Sequence, residues 1–275
     1  MFYAARSDSL TDSALSATAL DRVRQQLEST PGYIPADVVK EILEWTGMTI
    51  EEYLTALVPV AAQMAIPPIS NFKVGAAGQG ASGSVYLGAN MEYVGQALSM
   101  CVHGEQAVTA NAISHGETGL PLLAISAAPC GYCRQFLYET TTASKLQILL
   151  SGKPAVALTT LLPQAFGPSD LGVDAALMSP QAHGLTLSGG GGAVAQAALA
   201  AANASYAPYS FSYSGVGLGT SSGAVFSGSY AENAAFNPSM SPLEAALVSL
   251  VMGGGSFGEI TEAVLVQVQG AIVSQ

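Results

Sequence analysis

Two short motifs carry residues whose types and spacing could do chemistry. His103 and Glu105 sit one residue apart in "VHGEQ", and Cys130 and Cys133 sit in "PCGYCRQFL" with two residues between them. A CxxC pair serves as a redox dithiol, as half of a structural zinc site, or as half of a catalytic one. Two thiolates and one imidazole form a catalytic zinc set that leaves the fourth tetrahedral position for water. Two thiolates also neutralise Zn2+, so no further anion is needed. Glu105 lies near enough to His103 to reach a metal-activated water without binding the metal, which is where a proton shuttle belongs. A structural zinc needs a fourth protein ligand. The remaining thiol, Cys101, lies two residues before His103 on an expected helix, a poor spacing for the same ion, and is read as a small core residue. A redox dithiol would leave His103 and Glu105 without a task. Arg134, next after Cys133, is in position to donate hydrogen bonds to a ligand sulfur.

Each motif opens an expected helix. "CVHGEQAVTANAIS" and "CGYCRQFLYETTT" both read as helical, and cysteines at a helix start have their thiolates favoured by backbone N–H groups and the helix dipole. "PLLAISAA" between them reads as a short buried strand and "KLQILL" as the next one. Upstream, "PPISNFKVGAAGQGASGSVYLGANME" reads as two short strands joined by a glycine-rich hairpin. The order β-β-α-β-α-β describes an α/β layer with helices covering a sheet. Residues 1–48 are expected to be helical, with Val38, Val39, Ile42 and Leu43 on one face and Gly47 as a C-cap. The helix after it opens with a capping box of Thr49 and Glu52 and is expected to kink or end early at Pro59. His115 and His183 lie in loop-like stretches and are expected to face solvent.

The chain repeats itself. Residues 61–100 align without a gap to residues 201–240 at a constant offset of 140, pairing Pro68 with Pro208, Gly75 with Gly215, Gly88 with Gly228, Glu92 with Glu232 and Met100 with Met240. A one-residue deletion then pairs Glu105 with Glu244 and His103 with Pro242. No cysteine follows residue 133, so the second repeat has the scaffold without the metal motifs. "SGGGG" at 188–192 reads as the joint between the repeats.

Composition narrows the class. Of 275 residues, 49% are hydrophobic, and the net charge is −11. Lys153 is the last basic residue, while Asp170, Asp174, Glu232, Glu244, Glu259 and Glu262 follow it. Binding a phosphate backbone relies on Lys and Arg, so a small, mostly uncharged substrate suits this chain better than a polynucleotide. Three cysteines fit a reducing compartment rather than a disulfide framework. The first residues lack a basic start followed by an apolar run, and no apolar stretch reaches the length of a membrane span. A soluble, cytoplasmic protein without a signal peptide is expected.

An H-x-E motif followed by P-C-x-x-C is a signature of zinc nucleobase deaminases, and "HGE" with "PCGYC" supplies it here. With "NFKVGA", "GANMEY", "FGPSDL" and "FSGSYAENAAFNP", the chain resembles the two-lobed, homodimeric bacterial type of cytidine deaminase over nearly its whole length. The smaller tetrameric type typically uses three cysteines and has no second lobe. The resemblance implies a three-layer α-β-α fold, duplicated. It also implies one Zn2+ per subunit on His103, Cys130 and Cys133, a nucleoside substrate, a homodimer, and deamination of cytidine and 2′-deoxycytidine. The expected organisation is a helical segment at 1–48, a catalytic lobe at 49–152, a linker at 153–192 and a metal-free lobe at 193–275. Asn90 and Glu92 would grip the ribose hydroxyls, Phe72 would pack on the pyrimidine, Glu105 would also hold N3, and backbone groups near Gly104 and Ala128 would read the base. Phe166, Ala235 and Phe236 would complete the pocket of the partner subunit.

The sequence departs from the family pattern in two places. "HGE" stands where "HAE" is usual, and the strand-like "AVLVQVQ" comes close to Gln275, so the second lobe is expected to be a strand short. The pairing of Glu92 with Glu232 hints at a structural role for that carboxylate. Two other readings stay open: a deaminase acting on RNA or DNA, and a catalytically inactive nucleoside-binding or zinc-stabilised protein.

Overall fold

The computed structural model describes residues 25–28 and 30–275. Of the helical segment expected at the N-terminus, residues 25–28 are helical, and the residues before them lie outside the described residues. Helix α1 (Ala36–Thr46) buries Val38, Val39 and Ile42, with Leu43 half-buried beside them. Gly47 ends it in the left-handed region at φ 68°, donating its N–H to the carbonyl of Leu43. Helix α2 (Ile50–Ala62) starts with the expected capping box: Thr49 Oγ1 accepts from Glu52 N, and Glu52 Oε2 accepts from Thr49 N. α2 does not end early at Pro59 but runs through it to Ala62. Pro59 is exposed, so the carbonyl that its missing N–H leaves unpaired can turn to water. On the other side Leu54, Leu57, Val58 and Ala61 hold the helix to the core.

Six strands form the first sheet: β1 (Tyr33–Ile34), β2 (Gly75–Gln79), β3 (Val85–Ala89), β4 (Leu122–Ile125), β5 (Gln147–Leu150) and β6 (Val156–Ala157). Their order is β1-β3-β2-β4-β5-β6, with β4 and β5 parallel and the other pairs antiparallel. The short edge strands β1 and β6 carry no sequence pattern of their own. Helices α3 (Gly104–Ser114) and α4 (Gly131–Tyr138) follow β3 and β4, and a single turn, α5 (Leu158–Leu161), follows β6.

Two glycines show how the layers stack. A Cβ on Gly75 would lie 2.2 Å from Val58 O in α2, and one on Gly88 would lie 2.4 Å from Val108 N in α3. Gly88 pairs with Ala76 across the sheet, so it shares a face with Ala76 and not with Gly75. α2 and α3 therefore cover opposite faces, which makes the three-layer α-β-α arrangement. Only glycine permits these helices to approach so closely.

The second lobe repeats this construction. Strands β7 (Ser214–Thr220), β8 (Val225–Ser229) and β9 (Ile260–Gln267) form a sheet in the order β8-β7-β9, packed with helices α6 (Ala193–Asn203) and α7 (Pro242–Met252). Gly215 meets Ala202 N and Gly228 meets Ala246 N, as Gly75 and Gly88 meet their helices. The register also repeats: Ala76 faces Ile125 and Val216 faces Leu265, both at the offset of 140. The second sheet has three strands where the first has six.

The repeat slips, however, before the second helix. Met91 bridges Val102 and Ala231 bridges Met240, while Gly88 packs on Gly104 O and Gly228 on Pro242 O. The offset there is 138, not the 139 or 140 read from residue identity. Met240 thus stands for Val102, Ser241 for His103 and Glu244 for Gln106. Glu244 is a helix cap, in a reciprocal pair with Ser241, as Gln106 Oε1 caps His103 N at 3.1 Å. The matched Met and Glu residues mislead because cap and bridge geometry fix the register.

One continuous core joins the lobes, since Tyr206, Met240, Val248 and Met252 belong to the same buried cluster as Leu57, Leu87 and Phe136. Among the described residues no helix is long and apolar enough to cross a membrane. His115 is exposed, with its ring stacked on Tyr33. His183 is half-buried instead of solvent-facing: its ring stacks on Tyr213 and Nε2 lies 2.7 Å from Ser205 O, which pins the connection to the second lobe.

Glu117, just past α3, fastens the β2–β3 hairpin. Its carboxylate accepts from Ser82 Oγ, Ser82 N, Tyr86 OH and Thr118 N. Burial alone would raise the carboxyl, but these bonds outweigh it and hold the group below its ordinary value. A depressed folded value adds stability at neutral pH that is lost as pH falls through it. Glu117→Gln should therefore destabilise the fold by about 1–3 kcal/mol at pH 7. Urea melts should show the gap to the parent closing below about pH 4.

Candidate active site

The metal motifs meet because each opens a helix at the same place. His103 is the N-cap of α3, and Cys130 is the N-cap of α4, its sulfur facing Cys133 N at 3.5 Å. Cys130 Sγ lies 3.6 Å from Cys133 Sγ and 3.5 Å from His103 Nδ1, and Cys133 Sγ lies 3.2 Å from His103 Nδ1. Tetrahedral zinc with bonds of about 2.3 Å to sulfur and 2.0–2.1 Å to nitrogen would set these separations at about 3.8 and 3.6 Å. The donor set fits zinc in type and spacing, and among the described residues it is the one cluster able to hold a metal.

One of the two thiols is already biased toward its thiolate. A hydrogen bond from Cys133 holds the Cys130 thiol down at about 4, despite burial, with help from the N–H groups of Cys133 and Tyr132 and the charge of His103. Cys133, donating that bond in a buried position, is pushed up. Glu105 is 3% exposed, and burial raises its carboxyl above the ordinary range against the pull of His103 and a Cys133 hydrogen bond.

These groups line a cleft of about 290 Å3, at the lower end of small-molecule sites. Phe72, Asn90, Glu92, His103, Gly104, Glu105, Ala128 and Cys130 all reach its wall, and Cys133 is buried behind them. Sequence reasoning missed Ser70 and Val74, from the loop before β2, and Ile125 and Ala127, from the end of β4. "ISNF" and the residues after "PLLAI" held that signal, since a strand end beside a helix start is where such a cleft forms. Cys101, expected in the core, is half-buried and also lines the cleft.

The rim is held from below. Asn90 Oδ1 accepts from Val74 N at 2.8 Å, and Nδ2 donates to Phe72 O at 2.9 Å. Glu92 accepts from Ile69 N, Ser70 N and Ser70 Oγ. These bonds override desolvation and keep its carboxyl low. Phe72 is left 60% exposed at the mouth. Glu232 makes the equivalent backbone bonds to Tyr209 N and Ser210 N, so this carboxylate holds a loop in both lobes.

Arg134 reaches no sulfur. Nε donates to Pro129 O and Nη1 to Leu161 O, both at 2.8 Å, because its side chain folds back onto the loop entering α4. It thereby braces the backbone that carries Cys130. Phe166 and Phe236 are exposed and, with Ala235, lie outside the cleft of their own chain. Cys130→Ala should lose zinc. A metal assay on the purified variant should read below a tenth of the parent's content, and full occupancy would rule out the ligand assignment.

Two family models, both described as the cytidine and deoxycytidylate deaminase zinc-binding region, match residues 48–149 and 158–275. A cytidine deaminase of Vibrio cholerae is 47% identical over 232 residues, 84% of this chain and 78% of its own. One from Yersinia pestis is 44% identical over 248 residues, covering 90% and 84%. A solved cytidine deaminase from Mycobacterium tuberculosis, 34% identical, covers 44% of this chain and 99% of its own with a TM-score of 0.40. With two deaminase zinc-binding regions that together span most of its length and relatives 44–47% identical over 84–90% of it, the chain belongs to the cytidine deaminase family.

Proposed function

We propose that the chain is a zinc-dependent hydrolase converting cytidine and 2′-deoxycytidine to the corresponding uridine with release of ammonia, a step of pyrimidine salvage. The convergence of His103, Cys130 and Cys133 with buried Glu105 on one nucleoside-sized cleft carries this reading. His103 Nδ1 and the two sulfurs would hold Zn2+, which, when bound, supplies a Lewis acid able to bring the pKa of a water from about 15.7 to about 7. Glu105 takes one proton from the attacking water as the C4–O bond forms, and delivers it to N3. The water's second proton then passes through Glu105 to the exocyclic amine. The C4–N bond breaks, ammonia leaves, and the carbonyl of uridine remains. A carboxyl raised by burial suits a group that must hold a proton between these transfers. Asn90 and Glu92 would fix the ribose, and Phe72 would cover the base.

The charges of the cleft favour a nucleoside over a nucleotide. Two carboxylates line it and no Lys or Arg does, while Lys73 is exposed beside it. A 5′-phosphate would find no cation on the cleft wall, where Glu92 and Glu105 add negative charge. Absorbance assays should therefore show kcat/KM for cytidine more than 100-fold above that for deoxycytidylate, and equal values would overturn the assignment. Glu105→Ala should keep zinc and lower kcat by about 100- to 10,000-fold. A polynucleotide substrate is disfavoured by a chain with 8 basic and 19 acidic residues.

The homodimer belongs to the same reading. Phe72 stands exposed at the mouth of the cleft, and Phe166, Phe211 and Phe236 are exposed as well; Phe166, Ala235 and Phe236 would close the partner's cleft. Light scattering should give twice the 27.8 kDa chain mass. The cysteines are all free, as suits a cytoplasmic protein.

A further inference from the structure

Glu139 caps the C-terminus of α4, is fully buried, and takes no part in the cleft. Its Oε1 accepts from the hydroxyls of Tyr206 and Tyr209, and its Oε2 accepts from Ala234 N at 3.0 Å. Every one of these donors belongs to the metal-free lobe. Tyr206 OH also lies 3.1 Å from Ala175 O, in the connection between the lobes.

Two more residues of the same helix face the same way. Gln135 exchanges hydrogen bonds with Asn233, through Gln135 O and Asn233 Oδ1, and its Nε2 donates to Phe166 O at 2.7 Å. Tyr132 OH donates to Asn237 O at 2.7 Å. Spacings of three and four residues put Tyr132, Gln135 and Glu139 on one stripe of the helix. That stripe grips the loop at both ends and in its middle, at Asn233, Ala234 and Asn237.

The loop so held is not relaxed. Phe236 sits at φ 61° and is 63% exposed. A bulky residue in the left-handed region persists where its surroundings over-determine it, and an exposed aromatic in that state is being presented rather than packed. Tyr209 makes an edge contact with the Phe236 ring, 6.3 Å between centroids, and the same Tyr209 donates to Glu139.

We propose that Glu139 is a positioning residue for nucleoside binding: it locks the loop Asn233–Asn237 of the metal-free lobe onto the helix that carries Cys133, so that Ala235 and Phe236 form a rigid wall for the partner subunit's cleft. This rests on the function and homodimer proposed above. The metal-free lobe then contributes shape to the site rather than chemistry, and Glu139 is the buried point through which that shape is fixed.

Glu139→Gln tests it. The amide keeps an acceptor for the tyrosines but turns an N–H toward Ala234 N. KM for cytidine should rise at least 10-fold, with kcat within about 2-fold and zinc content unchanged. An unchanged KM overturns the proposal, and so does a parallel loss of kcat and zinc, since that would mark support of the metal helix instead. Tyr209→Phe, which keeps the ring on Phe236, is the milder probe if the first variant folds poorly. It should raise KM about 2- to 5-fold with kcat unchanged, and no change in KM counts against the clamp.

Hydrogen exchange read by mass spectrometry separates this from the functional reading. The peptide over 233–240 should exchange at least 10-fold faster in Glu139→Gln, while peptides over 103–114 and 130–138 keep the parent's rates. If the parent does not deaminate cytidine but the loop still loosens, the functional reading fails and the clamp stands. If the loop does not loosen, the clamp fails whatever the activity.

Discussion

The site depends on one constraint: two helices must begin side by side at the edge of one sheet. His103 and Cys130 are both N-caps, residues whose backbone is still extended while their side chains already sit beside free N–H groups. That position supplies a hydrogen bond and a favourable field for a thiolate, and it sets donors from distant parts of the chain within bonding distance of one ion. The helices hold their places because α3 lies against Gly88 at backbone contact, and because α4 is tied down at its entry by Arg134. Moving either helix by an ångström would spoil a donor spacing that now matches zinc to within about 0.4 Å.

The metal-free lobe shows how little separates scaffold from site. It keeps both glycine approaches, the sheet register and the loop-holding carboxylate. It differs at the cap: Ser241 stands where His103 does, and Glu244 where Gln106 does. Ser241 and Glu244 make a better cap than His103 and Gln106, since both orphan N–H groups find an acceptor in the reciprocal arrangement. The first lobe gives up part of that cap, and an imidazole faces the two thiols instead. Local stability and chemistry compete for the same residue, and each lobe resolves the competition one way.

Local signals were legible in the sequence, and contacts across the chain were not. The Gly47 cap, the Thr49 and Glu52 box, the hairpin at β2–β3 and the two motif helices all follow from spacing within a few residues. The duplication was legible through glycines, because backbone contact allows no alternative there. It misled at Met240 and Glu244, where residue identity suggested a pairing that bridge and cap geometry refuse. Pro59 did not end its helix early because its cost depends on whether the freed carbonyl faces water. Arg134 was placed near the right group but aimed at the wrong atom. The Glu139 contacts span 67 to 95 residues of sequence, and nothing local to "FLYETTT" announces them.

Glu92 shows why a role read by resemblance and a role read from geometry need not compete. In the structure its Oε2 is taken by two backbone N–H groups, while Oε1 takes the Ser70 hydroxyl. Glu232 shows that the Oε2 bonds alone suffice to hold such a loop, since its contacts to Tyr209 N and Ser210 N use the same oxygen. Oε1 of Glu92, a residue that lines the cleft together with Ser70, therefore has an acceptor position to spare, which Ser70 can yield or share. A ribose hydroxyl arriving there would meet a carboxylate already ionised, already aimed and already immobilised, so little ordering remains to be done on binding.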